Sequence, residues 1–137
     1  MADLEFRIGC LEIEKSKITD DQYRPHRFIT EARDNVVYFY GCFASSHYQV
    51  ADRFNVNWKE GHKIVGGGSF DVEIDKRTKK LKLVLSGQSI DYSGIHPYAA
   101  RKFARLILPR LNEQGIKLAN FQVVPPSGIN RYWARRY

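Results

Sequence analysis

The chain has 137 residues, 43% of them apolar, and a formal net charge of +7. This is the length of one domain with enough apolar side chains for a core, and its charge favours anionic partners such as nucleic acid, phosphorylated protein or acidic lipid. No apolar run approaches the roughly eighteen residues of a membrane span, and MADLEF lacks the form of a signal peptide, so a soluble cytoplasmic protein with no membrane partner is expected.

Leu4 to Ile13 places Leu4, Phe6 and Ile8 on one face of a predicted strand and Glu5, Arg7 and Gly9 on the other, with Arg7 directed away from the core. Residues 15–25 are polar and aperiodic, a surface connection. Arg27 to Glu31 and Val36 to Tyr40 read as a hairpin turning at Asp34 and Asn35. Ser46 and Gln49 have capping-box spacing and open a helix with Val50, Ala51, Phe54 and Trp58 on one face and a stop at Gly61. His47 stands in its first turn.

Phe70, Val72 and Ile74 alternate with acidic residues, and Leu81, Leu83 and Leu85 form the returning strand after a charged turn at Lys76 to Lys79. Gly66 to Gly68, at the entry of this hairpin, suit either a bulge or the close approach of a ligand to bare backbone. Ala99, Ala100, Phe103, Ala104, Ile107 and Leu111 predict a second helix that Pro109 kinks or ends, with Gly115 as a stop and Ile116 to Val124 as the last strand. Residues 1–124 thus read as one α/β domain. Residues 125–137 read as a basic, aromatic tail, mobile unless it docks, in which Arg131, Trp133, Arg135 and Arg136 suit contact with nucleic acid.

Between the hairpin and the second helix lies SGQSIDYSGIHP, Ser86 to Pro97. A glycine-bearing turn feeding a helix start can hold an anion, because the first N–H groups of a helix lack internal partners. An ordinary capped loop accounts for the same residues. Cys10 and Cys42 lie in apolar strand-like segments without CxxC spacing and read as reduced core thiols, and the histidines at 26, 47, 62 and 96 have no zinc spacing, so neither metal nor cofactor is expected. His26 and His62 read as surface residues. For His47 the plain alternative is a ring that bonds a neighbouring carbonyl and packs its helix.

In order and local pattern, three stretches resemble the janus family, whose best known members are phosphohistidine phosphatases: GCFASSHYQVADRF, the GGG at a hairpin, and GQSIDYSG before IHPYAARKF. The resemblance runs from about Phe6 to Val124. It implies a mixed, mostly antiparallel six-stranded sheet with two helices, which agrees with the six strand-like runs and two helices read from the pattern alone. It also implies that His47 is a metal-independent general base activating water against phosphorus. Ser89, Ile90 and Asp91 then lie in the loop whose backbone N–H groups hold the phosphoryl oxygens, with Gly68 beside them, and Arg7 takes the place of an assisting first-strand lysine. His96, next to that loop, is a candidate accessory that protonates a leaving group. Two positions depart from the family pattern: Ser69 where an arginine is usual, and Asp91, a carboxylate in a loop meant for an anion. Two other functions remain open, a nucleic-acid-binding module using Arg101, Lys102, Arg105, Arg110 and the tail, and an anion-binding regulator that keeps the pocket without turnover.

Overall fold

In the computed structural model, which describes residues 3–17, 26–56, 63–89 and 91–137, every alternating segment becomes a strand of one sheet. The strands are β1 (Glu5–Leu11), β2 (His26–Arg33), β3 (Val36–Phe43), β4 (Lys63–Ile74), β5 (Leu81–Ser86) and β6 (Leu118–Val124), in the order β1-β3-β2-β4-β5-β6. The three central pairings are antiparallel and the two outer ones, β1 with β3 and β5 with β6, are parallel. Parallel neighbours need a crossover, and between β5 and β6 it is the helix α2 (Pro97–Glu113). The result is a single α/β domain with a mixed, mostly antiparallel sheet, as expected.

The two-residue period of the strands sorts their side chains between two helices. On one face, Phe28, Phe39, Leu83 and Leu85 meet Ala100, Phe103, Ala104 and Ile107 of α2. On the other, Ile29 and Cys42 meet Val50 and Ala51 of α1 (His47–Arg53). Each fully buried Leu, Ile or Phe removes enough apolar area from water to stabilise the fold by about 1.5–3 kcal/mol. Burial also pushes the Cys42 thiol up to about 11, which leaves it protonated and unreactive near neutral pH.

Both helices stop in the same way. Asn55 (φ 54°) follows α1 and Gly115 (φ 86°) follows α2. Val56 N–H bonds to Ala51 C=O at 3.0 Å and Ile116 N–H to Leu111 C=O at 3.0 Å, which satisfies carbonyls that the helix ends leave open. The first helix therefore ends at Arg53, short of the expected stop at Gly61; Trp58, Gly61 and His62 lie outside the described residues. Pro109 neither kinks α2 to a halt nor ends it, since α2 continues to Glu113. The carbonyl deprived of its partner is that of exposed Arg105, on the solvent side of the helix, and buried Leu111 holds the next turn down.

Two segments differ from expectation. His26 is buried at 1% exposure, between the rings of Phe43 and Phe70 at 5.5 and 5.1 Å, with Nε2 accepting the Glu14 N–H at 2.9 Å. A strand start in a polar stretch reads as surface, but here the 26–33 strand runs between β3 and β4, so its first residue is covered from both sides. The segment 125–137 docks. It forms a third helix, α3 (Arg131–Arg136), capped by Asn130, whose Oδ1 accepts the Tyr132 N–H at 3.1 Å. Among the described residues no helix is long and apolar enough to cross a membrane.

Candidate functional site

His47 opens α1 because Ser46 supplies the cap, its hydroxyl accepting the Gln49 N–H at 3.2 Å. Gln49 reaches back one residue further than a standard capping box, to the backbone N–H and hydroxyl of Ser45 at 2.9 and 2.7 Å. His47 is buried, its side chain 10% exposed, and the ring faces β4. Its Nε2 is 2.9 Å from the Gly68 carbonyl oxygen, and its Nδ1 is 3.1 Å from Oδ2 of Asp91. The His47 backbone N–H also points at that carboxylate oxygen, at 3.4 Å.

The glycine triplet lets this assembly form. Val65 is skipped in the β2–β4 ladder, where the register shifts between Thr30 and Glu31, so the bulge falls one residue ahead of the triplet, while Gly66, Gly67 and Gly68 pair in register with Thr30, Ile29 and Phe28. A Cβ on Gly67 would lie 3.2 Å from His47 Cδ2 and 3.4 Å from Ser89 Oγ, so bare backbone allows the ring and the loop to rest on β4. A Cβ on Gly68 would collide with the Ser86 carbonyl and the Phe28 ring. Gly68→Ala is accordingly expected to lower stability by about 1–3 kcal/mol in a urea melt, the range for overpacking.

The loop itself is tied down. Gly67 donates to Ser93 C=O at 3.1 Å and Ile95 to Gly87 C=O at 2.9 Å. Ser89, 5% exposed, accepts the Tyr92 N–H at 3.2 Å, and the Tyr92 ring packs edge-on against Tyr48 of α1 at 5.2 Å. The loop and the first turn of α1 are therefore one unit, with Asp91 turned inward between them.

Two acceptors thus flank the imidazole. A neutral ring donates to one of them at a time, and whichever nitrogen is not protonated carries the lone pair that does base chemistry. Gly68 C=O and an ionised Asp91 carboxylate both only accept, so a proton on Nδ1 serves Asp91 and one on Nε2 serves Gly68; with the carboxylate turned away, Gly68 C=O alone keeps the proton on Nε2 and leaves Nδ1, on the loop side, as the nitrogen able to accept one.

Of the residues singled out in the sequence, His47, Gly68, Ser89 and Asp91 come together, and Ile90 lies outside the described residues. Arg7 does not join them. It sits on β1, three strand spacings from β4, roughly 14 Å at about 4.8 Å each, and its guanidinium is bound to Glu5 at 2.6 Å. His96 is spent as the cap of α2, its Nδ1 accepting the Tyr98 N–H at 3.1 Å while its ring stacks on Tyr137 at 4.1 Å. No contact among the described residues joins it to His47.

One cation was missed. Arg27 pairs directly across from Ser69 in the β2–β4 register, so an arginine stands opposite the position where the triplet is followed by serine; it donates to the Ala44 carbonyl just ahead of α1. Only the register reveals it. Trp133, expected at a nucleic-acid contact, is fully buried and cannot stack on a base. Among the described residues no group of three His, Cys, Asp or Glu is placed to hold a metal ion. Comparison with protein-family models, curated proteins and solved structures finds no match.

Proposed function

We propose that this protein is a janus-type phosphoryl hydrolase acting on phosphohistidine or phospholysine in proteins, with His47 as general base through Nδ1. The supporting observation is the pairing of a base held through Nε2 on Gly68 C=O with a loop whose Asp91 carboxylate rests against Nδ1. Asp91 then acts as an internal anion that an incoming phosphoryl group displaces. Water attacks phosphorus and gives its proton to Nδ1, the P–N bond breaks, and the leaving nitrogen takes a proton from solvent. A positioned base of this kind contributes about 10²–10⁴-fold.

The test is hydrolysis of phosphoramidate and of a phosphohistidine peptide by purified protein. His47→Ala is expected to lose about 10²–10⁴-fold in rate, whereas Asp91→Ala is expected to bind phosphate more tightly than the parent. Unchanged hydrolysis by His47→Ala removes the assignment. A second reading, an anion binder without turnover, draws on Asp91 occupying Nδ1 and on Ser69 in the family's arginine position. It is separated by an Asp91→Ala protein that shifts its amide NMR signals with phosphate yet cleaves no P–N bond.

A further inference from the structure

A groove of about 700 Å³ lies away from His47, where β1, α2 and α3 meet. Its lining combines the rings of Phe6, Tyr98 and Tyr137 with the cations Lys102, Arg105 and Arg136. Tyr98, Lys102 and Arg105 stand at positions i, i+4 and i+7 of α2, which puts them on one stripe of the helix. Tyr98 is edge-on to Phe6 at 6.3 Å and tilted against Tyr137 at 5.3 Å, and both tyrosines remain exposed, at 43% and 47%.

The cations are held by ring faces and not by carboxylates. Lys102 Nζ is 5.2 Å from the Tyr98 ring centre, Arg136 is 5.4 Å from Tyr132, and Arg105 is 6.0 Å from Phe121. None of the three forms an ion pair among the described residues. Two acids share the lining, Asp3 and Glu5, but Glu5 is already bound by Arg7 at 2.6 Å. Three donors of positive charge beside exposed aromatic faces, against a single unpaired carboxylate, fit a ligand that is anionic at one end and a flat aromatic ring at the other.

We propose that this groove binds a nucleotide, with the phosphate on Lys102, Arg105 and Arg136 and the base packed against Tyr98 and the part of Tyr137 that the stacked His96 ring leaves exposed. The nucleotide is either free or one unit of a single strand. A tyrosine hydroxyl is neutral near pH 7, so that of Tyr137 is able to donate to the phosphate. The groove's volume falls within the usual range for small-molecule sites, about 300–1,000 Å³. This site does not depend on His47.

The experiment titrates the full chain with AMP, adenosine, phenyl phosphate, inorganic phosphate and an oligoadenylate, followed by amide NMR shifts. AMP is expected to bind about tenfold or more tighter than inorganic phosphate or adenosine, because stacking and charge act together. Arg105→Glu and Lys102→Glu, both on the solvent side of α2, are each expected to weaken AMP by about tenfold, while His47→Ala leaves it unchanged. If the oligoadenylate binds more tightly than AMP and loses affinity steeply between about 50 and about 200 mM salt, the source is a strand; equal affinity points to the free nucleotide. Phenyl phosphate binding as well as AMP, AMP binding indifferent to both charge reversals, or no binding by any of the probes overturns the proposal.

Discussion

Trp133→Ala is expected to lower the stability of the protein by about 3–5 kcal/mol, the range for deleting a fully buried large aromatic. Trp133 is 0% exposed, belongs to the same core cluster as Phe28 and Phe103, and donates its indole N–H to the Val65 carbonyl at 2.7 Å. Asn130 Nδ2 donates to the same oxygen at 2.8 Å while its Oδ1 caps α3. The substitution removes both the core volume and one of the two donors. Domains of this size are stable by about 5–15 kcal/mol, so the loss is a large share of the total. At a urea slope of about 1–3 kcal/mol per molar, the denaturation midpoint moves down by more than about 1 M. Trp133→Phe keeps most of the volume and loses only the hydrogen bond, so a cost of about 1–2 kcal/mol is expected there. A Trp133→Ala protein that melts with the parent would mean that residues 131–136 form no part of the core.

The docking of that segment explains what the sequence conveys and what it hides. RYWARRY is basic and aromatic, which suits an exposed binding tail equally well. Its anchor is a backbone oxygen, that of Val65, the residue skipped by the β2–β4 ladder at the bulge. A bulge is suggested by Gly66 to Gly68, but nothing in residue type says which distant side chain will take the carbonyl it leaves unpaired. The sheet, in contrast, is written in side-chain alternation: Phe28 and Ile29 differ by one position and face opposite helices, and a slip of one residue would exchange them.

The candidate site divides in the same manner. His47 at a helix start and the loop before Pro97 are local patterns. The bond between Asp91 and His47 spans 44 residues and depends on which way one carboxylate turns. Sequence alone leaves it open whether Asp91 faces outward to solvent or inward to the ring. The register of β2 against β4, which brings Arg27 opposite Ser69, is likewise a tertiary fact. It supplies a cation to the neighbourhood that the strand after the triplet does not carry itself.

The second large effect concerns acid, and a buried histidine and a partly buried carboxyl respond to it with opposite signs. Burial pushes the His26 ring down from 6.5 to about 4. Between those values the unfolded chain takes up a proton that the folded ring refuses, so the contribution of His26 is full above about 6.5 and is lost as pH falls toward 4, about 3 kcal/mol in all. Burial, with a smaller push from Glu73, holds the Asp71 carboxyl up from 3.8 to about 6. In that window the folded protein keeps a proton that the unfolded chain releases, so Asp71 favours folding at low pH and loses this as pH rises through 6, at most about 3 kcal/mol because solvent reaches part of the carboxyl. The windows overlap, and together the two groups leave the parent protein with little net slope between about pH 4 and 6. Substitution separates them. Asp71→Asn is expected to lose more stability than the parent between about pH 7 and 4, by up to about 3 kcal/mol. His26→Leu is expected to lose about 1 kcal/mol at every pH from the broken Glu14 hydrogen bond, and to gain stability relative to that baseline on acidification. Urea melts of the three proteins across this range decide it, because a His26→Leu protein with the parent's pH profile would show that the ring is not held neutral by its burial between Phe43 and Phe70.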